Sequence, residues 1–391
     1  MSTADFLRSK VGKEPHVFSG NPGRFHHLLP WSTVDDILKH HWLEPGRVTL
    51  SKDGHDVPID EYNPQVMTFS GASATAKHRR VEASALYRHL RDGATLQIKV
   101  IDELVEPISR LAASLEAALK ERVTIDAFIS FGTVQGFKTH FDYSEVIALQ
   151  VFGRKHWAIS EPTRRWPRVG DPGSKTAPEP SKFTDLLISD GDVLYLPRGW
   201  WHRVQPVNEI TVHLGVAVFR RTGIDLMRWL VHRLNEEDIC RQDLPRPSDP
   251  KDRQLEHLNA LQEAMVTRLR EDGLLSSFFD AFYAAQPSRQ AFDLASAMSC
   301  DALPDEDDFA VRWLNPFAVV TESKEGLIVK SGTDCVELPK NYSPLVSHLR
   351  SSNKPVTVQS AKSISNLTEE SHRSALSALA LAGLIEIAHC A

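Results

Sequence analysis

Apolar residues recur along this chain with two periods, and the change of period divides it. Alternating or continuous runs rich in β-branched and aromatic residues predict strands over 125–131, 146–159, 193–197 and 210–219. Helices are expected at 84–91 and at 105–122, where Leu111, Leu115 and Leu119 form one stripe. From 224 to 299 the period becomes helical. Ile224, Met227, Leu230, Val231 and Leu234 make one stripe, and Leu255, Leu258, Met265 and Leu269 a second. Such stripes fit a subunit interface and equally the core helices of a monomer. Beyond 309 the pattern predicts a hairpin at 326–338, a helix at 343–351 and another from Thr368 to Gly383. A Pro-, Gly- and Arg-crowded stretch at 162–180 is too long for a mere connection and reads as a lid or binding loop.

Composition narrows the class of protein. With 391 residues, 41% hydrophobic and 25% charged, the chain can bury a sizeable core over two or three domains. A net charge of −6 does not favour non-specific nucleic-acid binding. Cys240, Cys300, Cys335 and Cys390 lie far apart, with no C-x-x-C word, which fits a reducing compartment. The amino terminus lacks an apolar signal core and no apolar run is long enough to span a bilayer, so a cytoplasmic location without membrane attachment is expected.

The candidate chemistry begins with His140-Phe141-Asp142. Alternate residues of extended chain share a face, so this word aims an imidazole and a carboxylate at one point. His202, sixty residues after Asp142, follows Gly191-Asp192 and a short strand and can complete a two-His, one-carboxylate set. That set suits a non-haem Fe(II) oxygenase, because it leaves positions open; zinc accepts the same ligand types. Lys155 bears on the choice. Reading 146–159 as one strand puts it on the face of Ile147, Leu149, Val151, Trp157 and Ile159, with Arg154 and His156 on the other. A lysine there needs an anion or loses its proton. The plainer alternative is an ammonium that snorkels out or pairs with a buried acid.

His140-Phe-Asp142, the run Glu145-Val-Ile-Ala-Leu-Gln150-Val-Phe-Gly153-Arg-Lys155-His-Trp157 and the run from Gly191-Asp192 through Leu194-Tyr195, Pro197-Arg198-Gly199 to His202 resemble the JmjC (cupin-like) 2-oxoglutarate oxygenases, and within them the ribosomal-oxygenase subgroup. The resemblance implies a mixed α+β fold. A double-stranded β-helix (jelly-roll) catalytic domain at 18–221 would precede a helical dimerisation region at 222–300 and a winged-helix-like domain at 301–391. It implies Fe(II) held by His140, Asp142 and His202, with 2-oxoglutarate and O2 as cosubstrates. Lys155, thirteen residues after Asp142, stands where the family binds the distal carboxylate of 2-oxoglutarate. Ser130, Thr139 and Thr211 are candidates for further cosubstrate contacts, and His213, on the strand face of Thr211, for the pocket wall.

The implied activity is hydroxylation of an amino-acid side chain in a protein or peptide: a ribosomal protein, or a peptide natural-product precursor. A homodimer is expected. Two features depart from the family pattern and bear on substrate: Gly136-Phe137-Lys138-Thr139 before the first ligand, and Trp200-Trp201 before the last. Arg164, Arg165 and Arg168 in the long loop read as a solvated cluster or as a greeting for an acidic substrate. Residues 309–391 hold eight Lys/Arg against seven Asp/Glu, too even a balance for duplex binding, and no direct nucleic-acid partner is expected for the chain. The alternatives are a cupin-type metal enzyme that does not use 2-oxoglutarate and a peptide-binding module on the same fold.

Overall fold

A computed structural model describes residues 2–389 except 42, 71–73, 172–175, 290, 291, 293, 299–302, 305–307, 353, 365 and 366. It divides into two compact units, Met1–Arg220 and Arg221–Ala391. In the first unit the strands are β1 (His16–Phe18), β2 (Val48–Lys52), β3 (His55–Asp56), β4 (Gln65–Ser70), β5 (Ala74–Arg79) and β6 (Thr95–Ile98). They continue with β7 (Val123–Ser130), β8 (Glu145–Phe152), β9 (Lys155–Ser160), β10 (Thr184–Ile188), β11 (Val193–Leu196), β12 (Trp201–Pro206) and β13 (Thr211–Val218). Eight of these form one sheet in the order β1-β11-β8-β13-β7-β6-β2-β3; β10-β9-β12 form a second; β4 and β5 pair as a hairpin. The strand pairs are antiparallel.

Strand alternation decides what the large sheet does with each face. Val123, Ile125, Ala127 and Ile129 of β7, with Val212, Leu214, Val216 and Val218 of β13, bury into a core shared with Ile108 and Ala112 of the helix Glu106–Leu119. The residues between them, Asp126, Phe128 and Ser130 on β7 and His213, Gly215 and Ala217 on β13, line a cavity. The second sheet closes that cavity with Lys155 and Trp157 from β9 and His202, Val204 and Pro206 from β12.

The region read as a single strand over 146–159 is two strands in two sheets. Gly153 has φ +64°, and a Cβ there would meet the Ile210 carbonyl oxygen at 2.3 Å, so the chain turns at a position suited to glycine. The turn breaks the face expected for Lys155. Leu149 and Val151 bury into the helix-side core, whereas Trp157 and Ile159 cluster with Ala148, Leu194 and Leu196. Lys155 is buried as expected, but on the cavity wall and not in the helix-side core that takes the leucine and valine it was grouped with. The small sheet's β10 and β12 lay outside the predicted strands.

In the second unit the helices are Gly223–Leu234, Asp238–Arg241, Lys251–Leu269, Leu274–Ala284 and Leu294–Ala297. Thr222 starts the first with a reciprocal capping box to Asp225, satisfying donors that the first helical turn leaves free. The remainder has strands β14 (Phe309–Trp313), β15 (Val319–Glu322), β16 (Leu327–Ser331), β17 (Asp334–Leu338), β18 (Val356–Thr357) and β19 (Ile385–His389). These make two small sheets, β18-β14-β19 and β15-β16-β17, packed with the helices Ser343–Ser351, Val358–Ile364 and Glu369–Leu381. The expected hairpin is β16–β17, and Thr368 caps the last helix. Cys240 and Cys335 are free thiols; Cys300 and Cys390 lie outside the described residues. No helix among the described residues is long and apolar enough to cross a membrane.

Candidate active site

Residues 139–144 run between β7 and β8 beside the start of β12. His140 and His202 form an antiparallel bridge, His140 N–H donating to the His202 carbonyl (3.1 Å) and His202 N–H to that of His140 (2.7 Å). The Gly199 N–H donates to the Asp142 carbonyl at 3.0 Å, tying the second ligand-bearing turn to the first. The three side chains consequently meet, with one ligand atom from each within 4.8 Å of the others. Asp142 lies 3.8 Å from His140 Nε2 and 3.6 Å from His202 Nε2.

The second ring nitrogens fix the tautomers. His140 Nδ1 donates to the Lys138 carbonyl at 2.7 Å and His202 Nδ1 to that of Trp200 at 3.2 Å, which leaves both Nε2 lone pairs for a metal. Burial pushes His202 down to about 4, the adjacent His140 adding to the effect and Asp142 opposing it. A neutral imidazole is the form that ligates. Two imidazoles, one carboxylate and open space in front of them fit an iron ion, and also other borderline divalent metals.

That space is a cavity of about 220 Å³. On its wall Lys155 is 2% exposed, and its Nζ reaches only neutral groups: His213 Nδ1 at 2.9 Å and the Phe128 carbonyl at 3.3 Å. Burial pushes its ammonium down to about 7. His213, stacked on Phe128 at 4.7 Å, is held well below its usual value by burial and then by Lys155, so it accepts from the lysine. Trp157 packs against His202 with ring centroids 5.7 Å apart, and its buried indole N–H has no acceptor among the described residues.

The remaining sequence candidates separate. Ser130 lines the cavity, its hydroxyl 2.9 Å from that of Thr95. Thr211, fully buried, is not on the lining; its hydroxyl accepts from the Gln150 amide at 2.7 Å. Thr139 is also off the lining, whereas Phe137 is on it. Of the tryptophan pair, Trp201 is buried against Phe141 and donates to the Thr163 hydroxyl at 3.1 Å, and Trp200 lines a separate groove. Neither is on the cavity wall.

Asp126 and Gln97 escaped the sequence reading. The Asp126 carboxylate faces the cavity, accepting from Gln97 Nε2 and the Val100 N–H, each at 2.8 Å. Its pKa is raised, chiefly by burial. Both hydrogen-bond partners are neutral. The period-2 pattern of 123–130 carried the signal: Asp126 shares its strand face with Phe128 and Ser130.

The JmjC domain family model matches residues 103–226, a span that holds all three prospective ligands and Lys155. Residues 103–226 are a JmjC domain. Relatives of this chain include the bifunctional lysine-specific demethylase and histidyl-hydroxylase NO66 of Culex quinquefasciatus, 29% identical over 77% of this chain and 46% of its own. The protein of that name from Drosophila pseudoobscura pseudoobscura is 24% identical over 61% of this chain and 24% of its own. Ribosomal oxygenase 2 of Rattus norvegicus is 27% identical over 39% of this chain and 34% of its own. The chain thus spans less than half the length of these relatives. Among solved structures, Escherichia coli YcfD superposes with a TM-score of 0.63 over 99% of this chain and 98% of its own at 17% identity. A second, described as the ribosomal oxygenase YcfD with cobalt and 2-oxoglutarate, gives 0.59 over the same shares at the same identity. At that identity the likeness concerns the fold.

Proposed function

We propose that this chain is an Fe(II)- and 2-oxoglutarate-dependent oxygenase that hydroxylates an amino-acid side chain of a ribosomal protein. The observation that carries the reading is Lys155, a buried lysine without a carboxylate partner, in the same cavity as the His140, Asp142 and His202 donors. A buried charge calls for a counter-charge. A dicarboxylate that reaches the metal with one end and the lysine with the other supplies it. The YcfD structure with cobalt and 2-oxoglutarate and the names of the relatives support the same reading.

Iron with its cosubstrate and O2 would supply the oxidising power. The protein's part is binding and orientation. His140, Asp142 and His202 would hold the metal, with the Lys138 and Trp200 carbonyls keeping the two rings in register. Lys155, positioned by His213, would pair with the distal carboxylate, and Ser130 and the free Trp157 N–H offer further donors. Thr139 and Thr211 would act at most through their neighbours. Phe128 and Phe137, edge to face at 5.8 Å, screen the site from water. Asp126 is a cavity carboxylate whose hydrogen-bond partners are both neutral, which suits a cationic or amide side chain as the group oxidised.

A cupin metal enzyme that does not use 2-oxoglutarate would leave Lys155 without a counter-charge, and a non-catalytic peptide binder would not need the donor triad. The exposed stripe of the helix Lys251–Leu269 supports a homodimer built on 222–300. Three helices with small antiparallel sheets are in keeping with a winged-helix-like module at 301–391. A cytoplasmic location accords with a ribosomal substrate. The test is incubation of the full chain with Fe(II), 2-oxoglutarate, O2 and a ribosomal-protein extract, with mass spectrometry for gain of one oxygen. Succinate formation without any oxygenated peptide would shift the substrate to another polypeptide; neither product would sink the reading.

A further inference from the structure

The long loop holds an arginine–tryptophan cluster that the active-site reading does not use. Its sequence is Arg164-Arg165-Trp166-Pro167-Arg168. Trp166 is 64% exposed and has φ +52°, the left-handed region that a bulky residue rarely adopts. The surroundings impose this conformation. Pro167 is buried against Gly199, where a Cβ would fall 2.7 Å from the proline Cδ and 3.4 Å from the Arg164 carbonyl oxygen. Thr163 accepts from the Trp201 indole at 3.1 Å. Asp171 closes the loop, accepting from the Arg168 N–H at 2.9 Å while pairing with Arg164 at 3.3 Å. An indole is thus displayed outward on a pinned turn, and its own ring has no burial to offset the conformational cost.

The charges around it are unbalanced. Arg164 has Asp171, but no carboxylate pairs with Arg165 or Arg168 among the described residues. Gly199 lies three residues before His202, so Pro167, packed on Gly199, sits within about 15 Å of the His202 backbone by chain reach.

We infer that Arg165, Trp166 and Arg168 form a docking surface for single-stranded RNA beside the active site, a local departure from the absence of nucleic-acid partners expected from overall charge. Two free guanidiniums flanking one exposed indole match a phosphate backbone with a base stacked between, and a sequence-tolerant stack uses any base. An acidic peptide would answer the arginines and leave the indole face unused. Cavity electrostatics point the same way: Asp126 favours a basic side chain, and the remainder of a basic segment would be repelled by this loop. A basic protein segment lying along RNA satisfies both charges. The last argument rests on the oxygenase reading; the loop geometry does not.

The experiment is fluorescence anisotropy of a labelled U12 oligoribonucleotide with the full chain, at 50 to 200 mM salt and without cosubstrate. Binding is expected, weakening as salt rises. Trp166→Ala should reduce affinity about tenfold or more by removing the stack. Arg165→Glu with Arg168→Glu should reduce the salt slope by at least about 1.4, the share of two phosphates on a single strand. All three residues reach solvent, and melting curves identify any variant that has lost its fold; Arg165→Gln with Arg168→Gln provides a milder form. No U12 binding at 50 mM salt, or equal binding by wild type and variants, would overturn the inference. So would a labelled glutamate-rich dodecapeptide that binds the loop more tightly than U12, which would make the surface a peptide dock. Calorimetry with 2-oxoglutarate and Mn(II) reports separately on the oxygenase reading, so failure of one is not mistaken for failure of the other.

Discussion

Two regions break the rule of apolar inside and charged outside, in opposite directions. In the cavity between the two sheets of the first unit, Lys155 is almost wholly buried and meets only neutral groups. Along the helix Lys251–Leu269 no residue is buried, yet Leu255 and Leu258 are 57% and 59% exposed, with Met265 and Leu269 along the same helix also open. Singly exposed leucines need no explanation, and singly buried lysines can snorkel. A periodic apolar stripe and a lysine with no route outward are different. The first calls for a protein surface and the second for an anion. The two regions can be tested against each other, because a change in one should leave the other's readout intact.

The largest effect is expected at the lysine. Lys155→Ala should leave the distal carboxylate of 2-oxoglutarate unpaired, at a cost of roughly 3–5 kcal/mol, or about two to three and a half powers of ten in affinity. Calorimetry with Mn(II) in place of iron measures it. Lys155→Arg should be milder but not silent, since the planar fork needs more room than the ammonium. Mn(II) affinity should persist in both, because the three donors come from other segments. Unchanged 2-oxoglutarate affinity in the alanine variant would remove the anion from the account of this cavity.

Next is the apolar stripe. Leu255→Glu with Leu258→Glu should convert a dimer to a monomer in light scattering at micromolar concentration, while 2-oxoglutarate affinity stays within about twofold. Surface substitutions usually cost under about 0.5 kcal/mol of stability, so any fall in melting temperature should reflect loss of the dimer and not of the chain's own fold. A wild type that is already monomeric would return the stripe to ordinary surface.

A smaller and reversible effect comes from protons. In the ligand-free protein burial lowers Lys155 to about 7, so above that pH the free site is largely neutral and binding must take up a proton. Affinity for 2-oxoglutarate should be full below about pH 7 and fall up to tenfold per pH unit above it. Stability without ligand runs the other way. The unfolded lysine stays charged up to its ordinary 10.5, so folding costs most at low pH and the penalty fades as pH rises from about 7 toward 10.5. Lys155→Met should abolish the dependence on both counts and stabilise the ligand-free chain below pH 7. Parallel pH profiles of wild type and Lys155→Met that coincide would contradict the assignment.

Much of the candidate site could be read from sequence because its parts are local words. His140-Phe-Asp142 and the run ending in His202 carry their geometry within a few residues. The helix at 105–122 and the hairpin at 326–338 were legible for the same reason, being elements whose period persists over their length. Pairing between distant strands was not legible. The break at Gly153 moved Lys155 to another sheet, and alternation counted through 146–159 could not register a turn of one glycine and one arginine. Asp126 was overlooked because a lone acid in a strand looks like a solvated face until the opposite sheet is known to cover it. The tryptophans before His202 were conspicuous by size, but size does not say which way a turn points, and neither lies on the cavity wall.

The finest test separates two hydroxyls that the sequence treated alike. Ser130 is on the cavity lining and Thr211 is not, though the two residues are directly paired across β7 and β13. Ser130→Ala should weaken 2-oxoglutarate binding by a few-fold, since one neutral hydrogen bond contributes about 0.5–1.5 kcal/mol. Thr211→Val keeps the shape but takes an acceptor from the buried Gln150 amide, whose other contacts are the Phe152 and Val212 carbonyls at 2.8 and 3.3 Å. That change should lower stability by about 1 kcal/mol and leave affinity alone. The readouts are a melting temperature and a calorimetric Kd for each variant. If Thr211→Val weakened binding without destabilising the fold, the hydroxyl would have to reach the cosubstrate, and the cavity would extend past Gln150.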